Sequence, residues 1–329
     1  MPTTPSFSDI LAARTRIANE AVRTPLLFSP FLSERFSARI HLKPECLQRT
    51  GSFKFRGAYN AIAALDPADR AKGVIAVSSG NHAQGVAEAA RIFGVPATIV
   101  MPADAPLPKR KRTERSGARV VAYDRATENR DAVVARVVEE IGGAFIHPFN
   151  DPNVIAGQGT TGLEIAEDCA AHGGAPEVVV VPCSGGGLTA GIALAVTERF
   201  PAVRVYTAEP AGFDDYARSL QSGKRERNAR SYGSISDALL VPDPGPIGFE
   251  INKERLAGGL VATDPETLVA IGCAYDEQRL VVEPGGAVGL AALLAGRLDV
   301  AGKTVVIVLS GGNVGDDILT EGIRAYRGG

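Results

Sequence analysis

A lysine between two aromatics, in Gly51-Ser-Phe-Lys-Phe-Arg-Gly57, stands where a glycine-bearing loop meets a helical pattern. At the first turn of a helix an ammonium faces the positive end of the dipole, which disfavours its charged form and leaves a nucleophilic amine. Taken alone, Lys54 reads more simply as a surface lysine whose stem lies along apolar neighbours. A second segment, Ser184-Gly185-Gly186-Gly187-Leu188, follows an apolar run and opens another helical pattern. Three successive glycines let backbone N–H groups close around an anion at a helix N-terminus, as a phosphate cradle does. Tight packing or a nucleotide would also account for them. The run fits neither GxGxxG nor the P-loop, so a dinucleotide or nucleoside triphosphate is the weaker reading.

The elements around these loops alternate between β-rich and helical patterns from about residue 39 onward, which implies parallel strands joined by helices. Candidate strands are 39–43, 74–77, 97–100, 119–122, 177–181, 203–208 and 304–308, several of them apolar throughout and therefore buried on both faces. Helical spacing covers 53–65, 82–93, 126–141, 158–172 and 188–200. The stretch 221–246, rich in Gly, Pro, Ser and Arg, reads as a long surface excursion. In such sheets chemistry gathers beyond the carboxyl ends of strands. Four strand-ending loops stand out: Ser78-Ser-Gly-Asn-His82, the triple-glycine loop, Glu209-Pro-Ala-Gly-Phe-Asp-Asp215 and Ser310-Gly-Gly-Asn313.

Composition narrows the classes. The chain has 329 residues, 45% hydrophobic and 22% charged, with a net charge of -2, the profile of a globular protein of two lobes. Its most basic run, Lys109-Arg110-Lys111-Arg112, has no aromatic interleaving and reads as a solvated helix face, so no nucleic-acid binding is expected. The four cysteines, Cys46, Cys169, Cys183 and Cys273, lack paired metal-ligand spacing and read as reduced thiols. No apolar run approaches the roughly 18 residues that span a bilayer, and Met1-Pro2-Thr3-Thr4 lacks a basic region followed by an apolar core, so no signal peptide is expected. A cytoplasmic protein with no membrane partner is expected.

Gly51-Ser-Phe-Lys-Phe-Arg-Gly57, Ser78-Ser-Gly-Asn-His-Ala-Gln-Gly85, the triple-glycine loop and Ser310-Gly-Gly-Asn313, in this order, resemble the fold type II pyridoxal-phosphate (PLP) enzymes, specifically the threonine dehydratase and serine racemase family. The resemblance runs from about Thr24 to Asn313, with further matches at Asp151-Pro-Asn-Val-Ile-Ala-Gly-Gln-Gly159, Ala208-Glu-Pro210 and Val282-Glu-Pro284. It implies an α/β fold of two open, mostly parallel twisted sheets with flanking helices, as in the tryptophan synthase β chain. Residues 1–72 and 151–329 would form a large PLP-binding domain, residues 73–150 a small domain carrying the substrate loop, and the assembly would be a homodimer. Lys54 would hold PLP as an imine, Phe53 would pack on its ring, and Asn81 would contact its phenolic oxygen. Ser184, Gly185, Gly186, Gly187 and Leu188 would surround the phosphate. Ser310 would meet the pyridine nitrogen, and a neutral hydroxyl there makes a weaker electron sink that suits elimination. Ser78, Ser79, Asn81 and His82 match the loop that receives a substrate carboxylate, with His82 as a structural histidine the alternative.

The same resemblance implies α,β-elimination of a small β-hydroxy-α-amino acid, L-threonine or L-serine first, to a 2-oxo acid and ammonia. Ser79 matches a serine that faces the substrate opposite the lysine in serine racemase-like members, which admits racemisation. Arg130 matches an arginine near the substrate side chain and suits the second carboxylate of 3-hydroxyaspartate, or else lies exposed on its helix. Glu209, Asp215 and the carbonyl of Phe213 match a divalent-cation site, for Mg²⁺ or Ca²⁺. Asp237-Ala238 departs from the Asp-Gly frequent in the family, and Ser184 replaces a glycine of some relatives; Glu283 is ambiguous. With about fifteen residues after Asn313, no regulatory domain and no feedback inhibition are expected. A cofactor-free or nucleotide-binding regulatory module is the reading from another class, against which Lys54 argues.

Overall fold

The computed structural model describes residues 3–105 and 107–328; Met1 and Pro2, on which part of the N-terminal reading rests, lie outside them. Among the described residues ten strands run in chain order: β1 (Leu27–Phe28), β2 (Arg39–Pro44), β3 (Val74–Val77), β4 (Ala97–Pro102), β5 (Arg119–Tyr123), β6 (Ala144–Phe145), β7 (Val178–Pro182), β8 (Arg204–Pro210), β9 (Leu256–Ala262) and β10 (Thr304–Leu309). They form a six-stranded sheet, β1-β2-β10-β7-β8-β9, and a four-stranded sheet, β5-β4-β3-β6. Every pairing is parallel except β1 with β2.

The valine-rich strands explain the layers, because successive side chains of a strand face opposite sides. In the larger sheet Val178, Val180, Val305 and Ile307 pack with Leu290 and neighbours on one face. Val179, Val181, Val306 and Val308 pack with Ile192 and Val196 on the other. The smaller sheet repeats the scheme. Val74, Ala76 and Ile99 pack under helix Asn81–Phe93 together with Phe55 and Ile62, while Ile75 and Val100 pack under helix Arg130–Ile141.

All seven expected strands form. Strands β1, β6 and β9 escape the pattern, two because they have only two residues each, and β9 because Gly258 and Gly259 interrupt it. A side chain at Gly259 would approach Ala217 to 2.5 Å, so glycine is what lets helix Asp215–Ser222 lie on that strand. Two helices start elsewhere than expected. Pro152 and the cap Asp151 begin the third-layer helix Pro152–Ala171 six residues earlier, and Asn129 caps the helix that opens at Arg130. The excursion 221–246 takes its first two residues from helix Asp215–Ser222 and its last from helix Pro246–Arg255, and between them carries a short turn of 3₁₀ helix, Asp237–Leu239.

Candidate active site

The carboxyl ends of β7 and β10 face those of β3 and β6 across a cavity of about 660 Å³. Both pairs flank points where strand order reverses, so the flanking connections diverge and leave a crevice. Lys54 enters it from a tight turn. Thr50 has φ 64° and Gly51 φ 74°, and a β-branched residue in the left-handed region is held only where surroundings enforce it. Here Gly312 N–H donates to the Gly51 carbonyl (2.8 Å) and Phe53 N–H to the Ser310 carbonyl (3.1 Å). The turn is thereby stapled to the loop after β10, and Lys54 becomes the first residue of helix Lys54–Ala63. Beneath it, buried Arg56 bonds Glu45 (2.7 Å) and Glu164 (2.7 Å).

The Lys54 ammonium donates to the Pro148 carbonyl (2.7 Å) and sits 5.1 Å from the Phe53 ring centroid. Burial lowers its pKa to about 8, partly offset by the charge of Glu283. A helix start argues for the same direction, but withdrawal from water is the larger cause. Glu283 is displaced the other way, to about 7, by burial.

The triple-glycine loop lies at the other wall. A Cβ at Gly185 would fall 2.3 Å from the Phe149 ring, at Gly186 (φ 87°) 2.0 Å from the Tyr216 hydroxyl, and at Gly187 2.8 Å from the Phe149 carbonyl. Asn252 donates to the Gly186 carbonyl (3.2 Å) and Gly245 N–H to that of Gly185 (3.0 Å). With these carbonyls held from behind, the N–H groups at the start of helix Gly187–Arg199 are left to face an anion. Ser184, Leu188 and Ser310 line the same cavity, and the Ser310 hydroxyl makes no hydrogen bond among the described residues. A cradle that admits no side chain, a free hydroxyl and a near-neutral lysine fit a phosphate-bearing pyridine aldehyde.

From the smaller sheet come Ser78, Ser79, Asn81 and His82, all on the cavity wall. The Ser78 hydroxyl accepts from Gly80 N–H (3.1 Å). His82 is buried, with Nε2 against the Ile146 carbonyl (2.8 Å), and burial pulls its pKa down to about 3. Its imidazole braces β6, and its backbone N–H in the first turn of helix Asn81–Phe93 faces the loop. Arg130 lies at the rim, half exposed, and pairs with its neighbour Asp131 (2.8 Å).

Three contributors were not read as cavity residues from the sequence. The segment His147-Pro-Phe-Asn150 follows β6, supplies the carbonyl that Lys54 meets, and wedges Phe149 against the cradle. Its signal, a His-Pro-Phe run, was hidden behind a two-residue strand. Glu283 accepts from Asn81 Nδ2 (2.6 Å) inside the cavity. The basic run is solvated only in part, for Lys109 and Arg112 turn to the rim and Lys109 pairs with Asp237 across the mouth.

Behind the cradle, Glu209 is fully buried and accepts from Tyr216 N–H (2.8 Å) and Ala217 N–H (2.7 Å). Asp215 accepts from Asn228 (2.6 Å) through Oδ1, whereas its buried Oδ2 has no partner among the described residues. Burial raises both carboxyls, Asp215 to about 7, with Asp215 adding to the displacement of Glu209. Among the described residues no group of three or more His, Cys, Asp or Glu side chains converges.

Comparison with known proteins gives one direction. Residues 17–311 match the family described as pyridoxal-phosphate dependent enzyme. The chain is 44% identical to an L-threonine ammonia-lyase of Thermotoga maritima, over 97% of this chain and 79% of that protein. It is 39% identical to an L-threo-3-hydroxyaspartate ammonia-lyase of Saccharomyces cerevisiae, over 94% of each. Among solved structures, maize serine racemase superposes with a TM-score of 0.91 at 35% identity, covering 99% of both chains. A threonine deaminase from T.th. gives 0.88 at 43% identity, covering 94% of this chain and 99% of that one.

Proposed function

The chain belongs to the pyridoxal-phosphate dependent enzymes, and on that premise we propose that it converts a small β-hydroxy-α-amino acid, L-threonine or L-serine first, to a 2-oxo acid and ammonia. The observation that carries this reading is one cavity with a lysine amine of pKa about 8 at one wall and a cradle of backbone N–H groups at another. When bound there, pyridoxal phosphate supplies an electron sink for the pair left at the α-carbon. Lys54 would hold it, flanked by Phe53, with Asn81 at the phenolic oxygen, Ser310 at the ring nitrogen, and Ser184 to Leu188 at the phosphate. With its amine free, Lys54 would take the α-proton, for which a base near neutrality is suited. Ser78 and the first-turn N–H groups of Asn81 and His82 orient the substrate carboxylate, the positive end of that helix favouring an anion.

The rim bears on the substrate. Of the rim cations, Arg130 and Lys109 are already paired with Asp131 and Asp237 and Arg112 is held on the Asn313 amide, which favours a neutral side chain. The yeast relative keeps 3-hydroxyaspartate as the second reading. Ser79, on the cavity wall, keeps racemisation as a third.

A divalent cation, Mg²⁺ or Ca²⁺, would sit at Glu209, Asp215 and the Phe213 carbonyl, where the unpartnered Asp215 Oδ2 and the mutual repulsion of two buried carboxylates call for positive charge. Its role is structural, since Tyr216 on that helix touches Gly186 of the cradle. Residues 73–150 would act as the smaller lobe. A homodimer is supported by Leu47 and Val281, which stay exposed beside the Cys46 turn. No helix of the described residues is long and apolar enough to cross a membrane, and four free cysteines support a reducing, cytoplasmic setting.

The test is 2-oxo acid release from a panel of L- and D-β-hydroxy amino acids by PLP-loaded enzyme. Turnover of L-threonine or L-serine is expected. Release from 3-hydroxyaspartate alone moves the assignment to the second reading, and release from none overturns the lyase.

A further inference from the structure

Behind Asn81 runs a chain of hydrogen bonds whose polarity is set at both ends. Asn313 Nδ2 donates to the Thr50 carbonyl (2.9 Å) and to Asn81 Oδ1 (2.7 Å), while Asn313 Oδ1 accepts from Arg112 Nη1 (3.2 Å). A guanidinium can only donate and a backbone carbonyl can only accept, so Arg112 and Thr50 together dictate which way the Asn313 amide lies. Its NH₂ group then meets the oxygen of Asn81. That in turn directs the Asn81 NH₂ group toward Glu283 Oε1 (2.6 Å) and the cavity. One amide hydrogen serves Glu283, and the second is left for whatever occupies the cavity. Gly311 makes room, since a Cβ there would fall 2.1 Å from Glu283 Oε1 and 3.3 Å from Asn81 Nδ2.

We propose that Asn313 is a positioning residue that holds the donor end of the Asn81 amide toward the cofactor's phenolic oxygen, and that Arg112 sets this orientation through Asn313. The inference rests on the reading that the cavity binds PLP with Asn81 at that oxygen. A fixed donor stabilises the ionised oxygen. Without Asn313 only Glu283 is left to orient the Asn81 amide, and when burial leaves Glu283 protonated the amide can turn its own oxygen inward, where lone pairs meet the anion. Arg112 is exposed on helix Leu107–Arg115, beside the smaller sheet, and Asn313 lies after β10 of the larger one. Because Arg112 also lines the cavity rim, its direct charge on the cofactor is separated from the amide relay by combining its substitution with that of Asn313.

The test titrates the visible absorption band of PLP-loaded protein with pH. Asn313→Asp keeps the size and the acceptance from Arg112 and loses the donation to Asn81. It is expected to raise the midpoint of the band's transition by about one pH unit and to lower kcat about tenfold, with KM changed less than about threefold. Asn313→Ala, which adds no charge, moves the midpoint in the same direction. Arg112→Met gives a smaller upward shift in the wild-type background and none in Asn313→Ala. An unmoved midpoint in Asn313→Asp, or an Arg112→Met shift that persists without Asn313, overturns the proposal. Should Asn313→Asp fail to fold, Asn313→Ala decides, alone and combined with Arg112→Met, by the same midpoint: a shift in Asn313→Ala that Arg112→Met does not enlarge supports the relay, and constancy or an added shift overturns it. A wild-type band that no variant moves defeats this inference alone, whereas a wild type with no band defeats it together with the cofactor reading.

Discussion

The floor and the rim of the cavity are built on opposite terms. On the floor, each of Gly185, Gly186 and Gly187 is walled by Phe149 or Tyr216, and Lys54 is delivered by a turn stapled to the loop after β10. Little can change there without a collision or an unpaired buried group. At the rim, Arg130 and Asp131 are both more than half exposed and pair only with each other, and Asp237 reaches Lys109 from an irregular excursion. Exposed pairs contribute about 0–1 kcal/mol and tolerate exchange. The floor thus commits the molecule to one cofactor, while the rim leaves substrate choice open to small changes.

The sharpest break is at Lys54. Lys54→Ala is expected to abolish turnover and the covalent attachment of PLP, measured as loss of the borohydride-trapped adduct by mass spectrometry. Near wild-type elimination in this variant would remove the chemical basis assigned to the floor. Next comes Gly186→Ala, which places a methyl group against the Tyr216 hydroxyl at a φ that only glycine adopts freely. PLP affinity should fall about a hundredfold or more, by fluorescence titration of the apoprotein.

A pH series refines the same point. For a base whose pKa falls on folding, the unfolded chain binds more protons between about 8 and 10.5, so this group's contribution to stability rises with pH across that window. The capture of PLP by apoprotein should accelerate about tenfold per pH unit up to about 8 and then level off, by stopped-flow absorbance. A flat profile would show that the amine is not neutralised by burial.

Behind the floor, Mg²⁺ at about 100 times its dissociation constant should raise Tm by about 3–5 °C, and Asp215→Asn should remove that response. No response in the unmodified protein would dismiss the cation. The smallest effect is expected at the rim. Arg130→Ala should change kcat/KM for L-threonine less than about threefold and that for 3-hydroxyaspartate by about 1 kcal/mol. Equal losses on both substrates would place Arg130 with the floor.

Much of the floor was legible because its chemistry lies in contiguous motifs: Lys54 between aromatics, three glycines before a helix, a serine after a valine-rich strand. The strands were legible for the same reason, since a strand buried on both faces is written as an apolar run. What stayed hidden depended on distant partners. Glu283 was ambiguous until Asn81, some two hundred residues away, was seen to bond it. Phe149 could not be read as the wall of the cradle from a two-residue strand and a loop, and Lys109 looked solvated until Asp237 met it.

By itself the sequence determined the family, the alternation of strand and helix, and the amine and glycines that a phosphate-bearing aldehyde requires, because each is encoded in residue type and local spacing. The tertiary structure alone decided the direction of the Asn81 amide, the pairing of the rim cations and the burial that brings Lys54 to about 8. Hydrogen-bond polarity, ion pairing and loss of water are properties of groups brought together across the chain, and no local pattern records which groups those will be.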